Sequence, residues 1–509
     1  MKNQKSVGIL LSYLNTALNM CFNLLMIPML IGALSDTQYG IYKVMQSYAG
    51  PLMMLNLGMS TIVARSIARY RAMADEVGRR DKENTFAMAT AVSVVMALLA
   101  LAGGLAMTGL LPRLFADTYT AAEVKLAKEV MMVFVCTNAL HIVSDTFRGC
   151  ILGRERFTFY YGTTTVQYVL RFAAILLMMR FTNLSAVAVA MVDLVLYGGL
   201  LLVNLLYSLV LLKERMRFYG VKRTELISIA SFSLAVLLQA VITQVNNNLD
   251  NVILGAMVVD KRVITMYSSA LSIFNIYNVM LSVLANVYFP KIAQMVARDS
   301  SAEELTDCII GPGRVQAVIS VAVLCAFGLF GGNFIKIWIG PRYLEAWPVA
   351  MILMIPTTIP LVQNLCLAVL NAKLKQLFRS VTLFGMAVCN VIVSVLLVPV
   401  MGFWGAAAGT AICMLLGHGL LMNLYYAKVL KLNVVRMFRE IFAGILPAGL
   451  LSVLICLPLA LFLQDTFWLF AVKCAAFVAV FGLLVWKMGL KPGEKQFVRQ
   501  GIGAVCRKK

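Results

Sequence analysis

About fourteen apolar segments, each long enough to cross a lipid bilayer, follow one another along this chain. They run approximately over 8–34, 40–64, 85–110, 126–151, 158–180, 185–212, 226–257, 264–289, 309–335, 347–370, 379–400, 405–427, 441–463 and 468–487. Backbone amides and carbonyls inside lipid must bond within the protein, and a helix bonds them all within one segment. The fold class expected is therefore an all-α polytopic membrane protein with about fourteen transmembrane helices. Hydrophobic residues make up 61% of the 509 and charged residues 13%. A soluble domain has about 45–50% and about 25%, so little of this chain can lie outside the bilayer.

The formal charge of +21 does not point to nucleic acid, because the basic residues sit in loops between apolar spans. Those loops alternate. Lys2 and Lys5, the run from Arg65 to Lys82, Arg148 to Arg156, Lys213 to Arg223, Lys373 to Arg379 and the tail from Lys487 fall on one side. Far fewer, among them Lys43, Arg113, Lys125, Arg180, Lys261 and Arg342, fall on the other. The positive-inside rule then puts both termini in the cytoplasm, in keeping with an even number of spans. The N-terminus lacks a cleavage site and reads as a first span that stays. The loops on the far side are short, with no room for a catalytic domain. Cysteines lie mostly within spans and read as packing residues. With two histidines, a His-based metal site is not expected, and no cofactor is implied. Nucleotide-binding loops and hydrolase motifs of known form are absent from the sequence.

Two short patterns recur. Leu30–Leu34 with Gly32 leads to Tyr42, and Ile253–Met257 with Gly255 leads to Tyr267. Gly153–Arg156 after the fourth span is matched by Asn371–Lys375 after the tenth. Such a repeat implies two parallel six-helix halves, 1–212 and 213–440, with two further helices and a basic tail over 441–509.

Charged and amide side chains inside spans cost free energy and survive where they face protein or water. In Ile227–Met257, Gln239, Thr243, Asn246 and Asp250 keep one helical face, with Asn247 beside them. The fourth span sets Asn138, His141, Asp145 and Arg148 on one face, and the fifth sets Tyr160, Thr164, Gln167 and Arg171. The sixth carries Asp193 and Tyr197. One water-filled interior accounts for all of them. Arg171 sits near mid-span and cannot lose its proton, so it either faces that cavity or pairs with an acid such as Asp193 or Asp145. Arg148 either pairs with Asp145 on its own helix or joins the cavity. Arg148 and Arg65 lie near cytoplasmic ends, where they either contact substrate or snorkel. Lys473 in the last span is open to either role. The candidate substrate-binding set is Arg171, Arg148, Arg65, Asn138, Gln167, Asn246 and Asn247. Asp145, Asp193 and Asp250 are candidates for ion coupling.

The chain resembles the polysaccharide (O-antigen type) flippases of the multidrug/oligosaccharidyl-lipid/polysaccharide (MOP) exporter superfamily. The residues that carry the likeness are LSYLNTALNMCFNLLMIPMLIGALSDTQYGIYKVMQSY at 11–48, with Gly-x-Tyr after the first outer turn, and NLGMSTIVARSIARY at 56–70. Further carriers are GRERF at 153–157, LDNVILGAMVVDKRVITMYSSALSI at 249–273, FPKIAQM at 289–295 and VPVMGFWGAAAGTAI at 398–412. The resemblance implies two six-helix bundles around a central cationic cavity, plus two extra helices, in the bacterial cytoplasmic membrane. The implied cargo is an undecaprenyl-pyrophosphate-linked oligosaccharide, moved to the outer leaflet by alternating access. Anionic membrane lipids and the polysaccharide polymerase and chain-length machinery are the implied partners. The cavity arginines named above come from their position in this sequence, since the family offers no fixed motif for them. A cation or drug antiporter of the same fold, a membrane glycosyl polymerase or ligase, and a scaffold of an assembly complex are the competing readings.

Overall fold

The computed structural model describes residues 2–71, 76–220, 237, 240–241, 244, 249–373, 377–462 and 466–496. Seventeen bounded α-helices dominate the described residues, with a further helical stretch at 249–257, and no strand occurs among them. Eleven helices there are long and apolar enough to cross a membrane, or twelve if one bent pair counts as a single span. Each coincides with one of the segments read from the sequence. Of the other two segments, 226–257 lies largely outside the described residues, and 264–289 falls within the helix Lys261–Ala297.

The chain divides into two compact units, Met1–Ser268 and Ser269–Lys509. The first holds α1 (Lys2–Ala33), α2 (Asp36–Ala49), α3 (Met59–Arg71), α4 (Glu76–Leu114), α5 (Ala121–Gly153), α6 (Phe157–Phe181) and α7 (Ala186–Leu206), and the opening residues of α8 (Lys261–Ala297). The starts of three of these helices are fixed by short polar side chains that accept from otherwise unpartnered amides. Ser35 caps α2 and Ser185 caps α7, while Thr120 and Glu123 form a capping box on α5. Pro51 follows the end of α2, and the chain continues as one tight 3₁₀ stretch, Gly50–Asn56, before α3.

In lipid there is no hydrophobic drive between helices, so small residues and interhelical hydrogen bonds hold them together. Gly149 and Gly153 lie four apart on α5, and α3 crosses directly over them. A Cβ on Gly149 would stand 2.3 Å from the Ser60 carbonyl oxygen. Ser93 and Thr146 bond across α4 and α5 at 2.5 Å, and Asn204 of α7 donates to Ser144 at 3.2 Å. Below this bundle, buried Glu214 accepts from Lys82 at 2.7 Å and from Arg154.

The second unit holds the rest of α8, then α9 (Ala302–Trp338), α10 (Ala346–Val362), α11 (Asn364–Ala372), α12 (Leu377–Met401), α13 (Phe403–Met414), α14 (Met422–Lys428), α15 (Val434–Phe442), α16 (Ile445–Phe462) and α17 (Phe467–Leu484). Pro356 and Pro360 weaken the ladder of α10, and the chain then bends by 45° into α11. Arg314, 3% exposed on α9, binds the main-chain carbonyls of Glu440, Ala443 and Gly489 and the Glu494 carboxylate. It thereby fastens the ends of the last helices to α9. Lys473 is buried on α17.

Candidate functional site

Helical spacing decides which polar groups of the first unit meet. Asn138 and His141 on α5, Gln167 and Arg171 on α6, and Asp193 and Tyr197 on α7 are each three or four residues apart, so each pair keeps one face. With Gln46, Ala49 and Gly50 at the end of α2 they line a cavity of about 320 Å³. The sequence-derived Asn138, Gln167, Arg171 and Asp193 are thus brought to one place.

Arg171 and Asp193 form a two-pronged ion pair across α6 and α7. Arg171 Nε donates to Asp193 Oδ1 at 2.5 Å, and a terminal nitrogen donates to Oδ2 at 2.9 Å. That terminal nitrogen also lies 3.3 Å from the Tyr42 hydroxyl oxygen, which accepts from it. The guanidinium fork suits this planar, doubly bonded geometry. Of the two readings left open by the sequence, Arg171 therefore satisfies both: it pairs with Asp193 and stands on the cavity wall. Asn138 donates to the Ala49 carbonyl at 2.8 Å, one of the last-turn carbonyls that α2 cannot satisfy itself. His141 packs its ring edge-on against Tyr197, with centroids 4.9 Å apart.

Two turns further along α5 the grouping changes. Asp145 accepts from Asn56 at 2.8 Å. Arg148 instead donates to Thr164 at 3.3 Å and lies 4.5 Å from the centre of the Tyr160 ring. Among the described residues no carboxylate pairs with Arg148, so the local Asp145–Arg148 ion pair is not formed. Neither residue lines the cavity itself. Arg65 is exposed on α3, away from the cavity lining. Asp250 is buried in the helical stretch 249–257 and accepts from the Tyr267 hydroxyl at 2.6 Å. Beside it Asn251 donates to Ser47 and accepts from Ser268. Asn246 and Asn247 lie outside the described residues.

Sequence reasoning missed Lys43, which reads as a loop lysine. It stands within α2, its ammonium 3.2 Å from Gln46 Oε1 and near the rings of Tyr39 and Tyr42. It feels the charges of both Arg171 and Asp193. Arg171 and Asp193 cancel, so Lys43, outside the lining but bonded to its Gln46, leaves the neighbourhood of the cavity with one net positive charge. The Gly-x-Tyr pattern could have located it. A Cβ on Gly40 would stand 2.9 Å from the Lys261 carbonyl oxygen, and Tyr42 supplies the acceptor to Arg171. The glycine lets the start of α8 close on α2, and the tyrosine orients the arginine. At this end Lys261 donates to the Thr118 carbonyl at 2.7 Å and sits 3.7 Å from the Tyr119 ring centre. Burial pushes its amine down from 10.5 to about 8, partly opposed by Glu123 and Asp260.

The profile of a family described as polysaccharide biosynthesis protein matches residues 7–296, more than half of the chain. This chain belongs to that family. Its fold is shared with solved transporters. The lipid II flippase MurJ, in an inward closed conformation, superposes with a TM-score of 0.72 over 94% of this chain and 97% of that one, at 12% identity. An inward-facing multidrug resistance MATE family transporter of the MOP superfamily gives 0.61 over 85% and 98%, at 14% identity. The MATE multidrug transporter DinF-BH gives 0.57 over 87% and 96%, also at 14% identity. A comparison with curated protein sequences finds no match. The family match, the shared transporter fold and the helices long and apolar enough to cross a membrane agree with one another.

Proposed function

We propose that this member of the polysaccharide biosynthesis family translocates a polyprenyl-pyrophosphate-linked oligosaccharide across the bacterial cytoplasmic membrane by alternating access. The reading rests on one observation above all. The cavity wall carries a bidentate Arg171–Asp193 pair, and just behind its lining residue Gln46 stands a further cation, Lys43, that has no carboxylate partner among the described residues. A diphosphate needs fixed positive charge, and arginine and lysine supply it. Amides such as Gln167 and Asn138 suit sugar hydroxyls. Arg148, two turns further along α5, offers a second positive station on the path from the cytoplasmic end. A drug or cation antiporter would need net negative charge, and Asp193 is already neutralised by Arg171. The halves 1–212 and 213–440 would alternate about the cargo, with 441–509 appended and both termini cytoplasmic. Asp145, Asp193 and Asp250 remain the carboxylates through which an ion gradient would act. Arg65 and Asn246–Asn247 complete the proposed contacts along the route.

Lys43→Gln tests this reading, because it removes the net charge and no ion pair. A charge-assisted contact contributes about 1.5–3 kcal/mol, so transport should fall roughly 10- to 100-fold. The measurement is inversion of a fluorescent polyprenyl-pyrophosphate oligosaccharide in liposomes, with uptake of a cationic dye as the control. Unchanged lipid inversion in the inserted variant, or dye uptake with no lipid inversion by the unaltered protein, refutes it.

A further inference from the structure

A second cavity adjoins the first. It is a groove of about 580 Å³ between α6 and α7, walled by Phe159, Gly162, Val166 and Leu170 on one side and by Val195, Gly199 and Val203 on the other. The α6 set is spaced three and four apart and the α7 set four apart, so each set forms one stripe along its helix. Val166, Leu170, Val195 and Val203 are exposed on the outer surface of this helix pair, as apolar residues of membrane-spanning helices are where they meet lipid. Phe159 stacks on Tyr207 at 3.5 Å and closes one end. From Thr158 to Leu170 the groove runs about 18 Å along α6, close to half the hydrocarbon thickness of about 30 Å. At its inner end it shares Gln167 with the charged cavity.

Two features make this more than a seam between helices. The charged cavity and the apolar groove meet at one buried side chain, so a single ligand filling both would be an amphiphile. The groove is also kept open by its glycines. A Cβ on Gly162 or on Gly199 would meet no atom of another element within 4 Å, whereas a larger residue there would fill the space. Glycine in mid-helix is unfavourable by about 1 kcal/mol relative to alanine, so the open volume is retained against local helix preference.

We propose that the α6–α7 groove holds the first isoprene units of the substrate's polyprenyl tail while the diphosphate occupies the cavity, head and tail dividing at Gln167. This rests on the flippase reading. The groove covers about one leaflet, so the tail would stay in the cytoplasmic leaflet while the head is already at mid-membrane depth.

The test uses the full chain in nanodiscs. Gly162→Leu and Gly199→Leu fill the groove and improve helix propensity. The bilayer is itself apolar, so only packing is lost, and binding of undecaprenyl diphosphate should weaken about fivefold while binding of inorganic diphosphate stays unchanged. A diazirine on the first isoprene units of undecaprenyl diphosphate should label α6 and α7 in the unaltered protein. Labelling confined to other helices, equal labelling by phosphatidylethanolamine carrying the same group, or undiminished binding by both variants overturns the groove and leaves the flippase reading standing. If the unaltered protein binds neither diphosphate, the flippase reading fails and the groove's occupant with it.

Discussion

Replacing Arg171 by alanine is the obvious experiment on the cavity, and the geometry shows why it is ambiguous alone. The guanidinium makes contacts of 2.5 and 2.9 Å to Asp193, and the two side chains are 24% and 11% exposed. Removing one partner of such a pair leaves a buried charge without compensation and costs about 3–5 kcal/mol. Arg171→Ala would therefore abolish transport through instability even if Arg171 never touched cargo. The informative variant removes both charges, Arg171→Met with Asp193→Leu. Replacing a whole buried pair by apolar residues is often neutral or stabilising by about 1–4 kcal/mol, so the double variant should melt at or above the unaltered protein. Arg171→Ala and Asp193→Leu alone should melt well below it. Melting in detergent, followed by size-exclusion fluorescence, reads stability, and inversion of the lipid-linked oligosaccharide reads function. If Arg171 grips the diphosphate, the double variant is stable and does not transport. If its charge only balances Asp193, the double variant transports at the normal rate, and that result would refute the cavity role. A single Arg171→Ala that melts normally would refute the energetic argument itself.

Three further outcomes follow from the packing. Gly149→Ala would drive a Cβ into the Ser60 backbone at 2.3 Å and should cost about 1–3 kcal/mol, whereas Gly103→Ala, with nothing within 4 Å, should stabilise by up to about 1 kcal/mol; equal melting of the two would contradict this. Arg314→Leu should cost about 1–3 kcal/mol by stripping the Glu440, Ala443 and Gly489 carbonyls of their charged donor and should free the C-terminal helices to limited proteolysis, and an unchanged digestion pattern counts against the clasp. Lys261 releases its proton near pH 8 when folded and near 10.5 when unfolded. Between those values the unfolded state binds more protons, so the contribution of Lys261 to stability rises with pH; subtracting the melting curve of Lys261→Met should expose that slope, and parallel curves would rule it out.

What could be read from the sequence, and what could not, divides along physical lines. Apolar runs and the spacing of polar residues are local, so the helices and the faces that meet at Arg171, Gln167, Asn138 and Asp193 were legible. Partner choice was not local. Asp193 and Asp145 stood as equal partners for Arg171, and the matter turned on Asn56, which takes Asp145 at 2.8 Å. Asn56 is placed by the 3₁₀ stretch after Pro51, a geometry without hydrophobic period. Lys43 was hidden for a related reason. Its helix begins at Asp36, amid polar residues that look like a loop, and its nearness to Arg171 and Asp193 comes from packing between helices distant in sequence. Arg314 left no trace at all beyond its charge in an apolar run. Three of its acceptors are main-chain carbonyls, and a carbonyl can belong to any residue type. The groove between α6 and α7 was silent in the same way, because an empty space is recorded only by what is missing. Gly162 and Gly199 are the residues that record it. Open space beside a glycine is found elsewhere too, as at Gly103, and what sets these two apart is that they face each other across a groove continuous with the charged cavity.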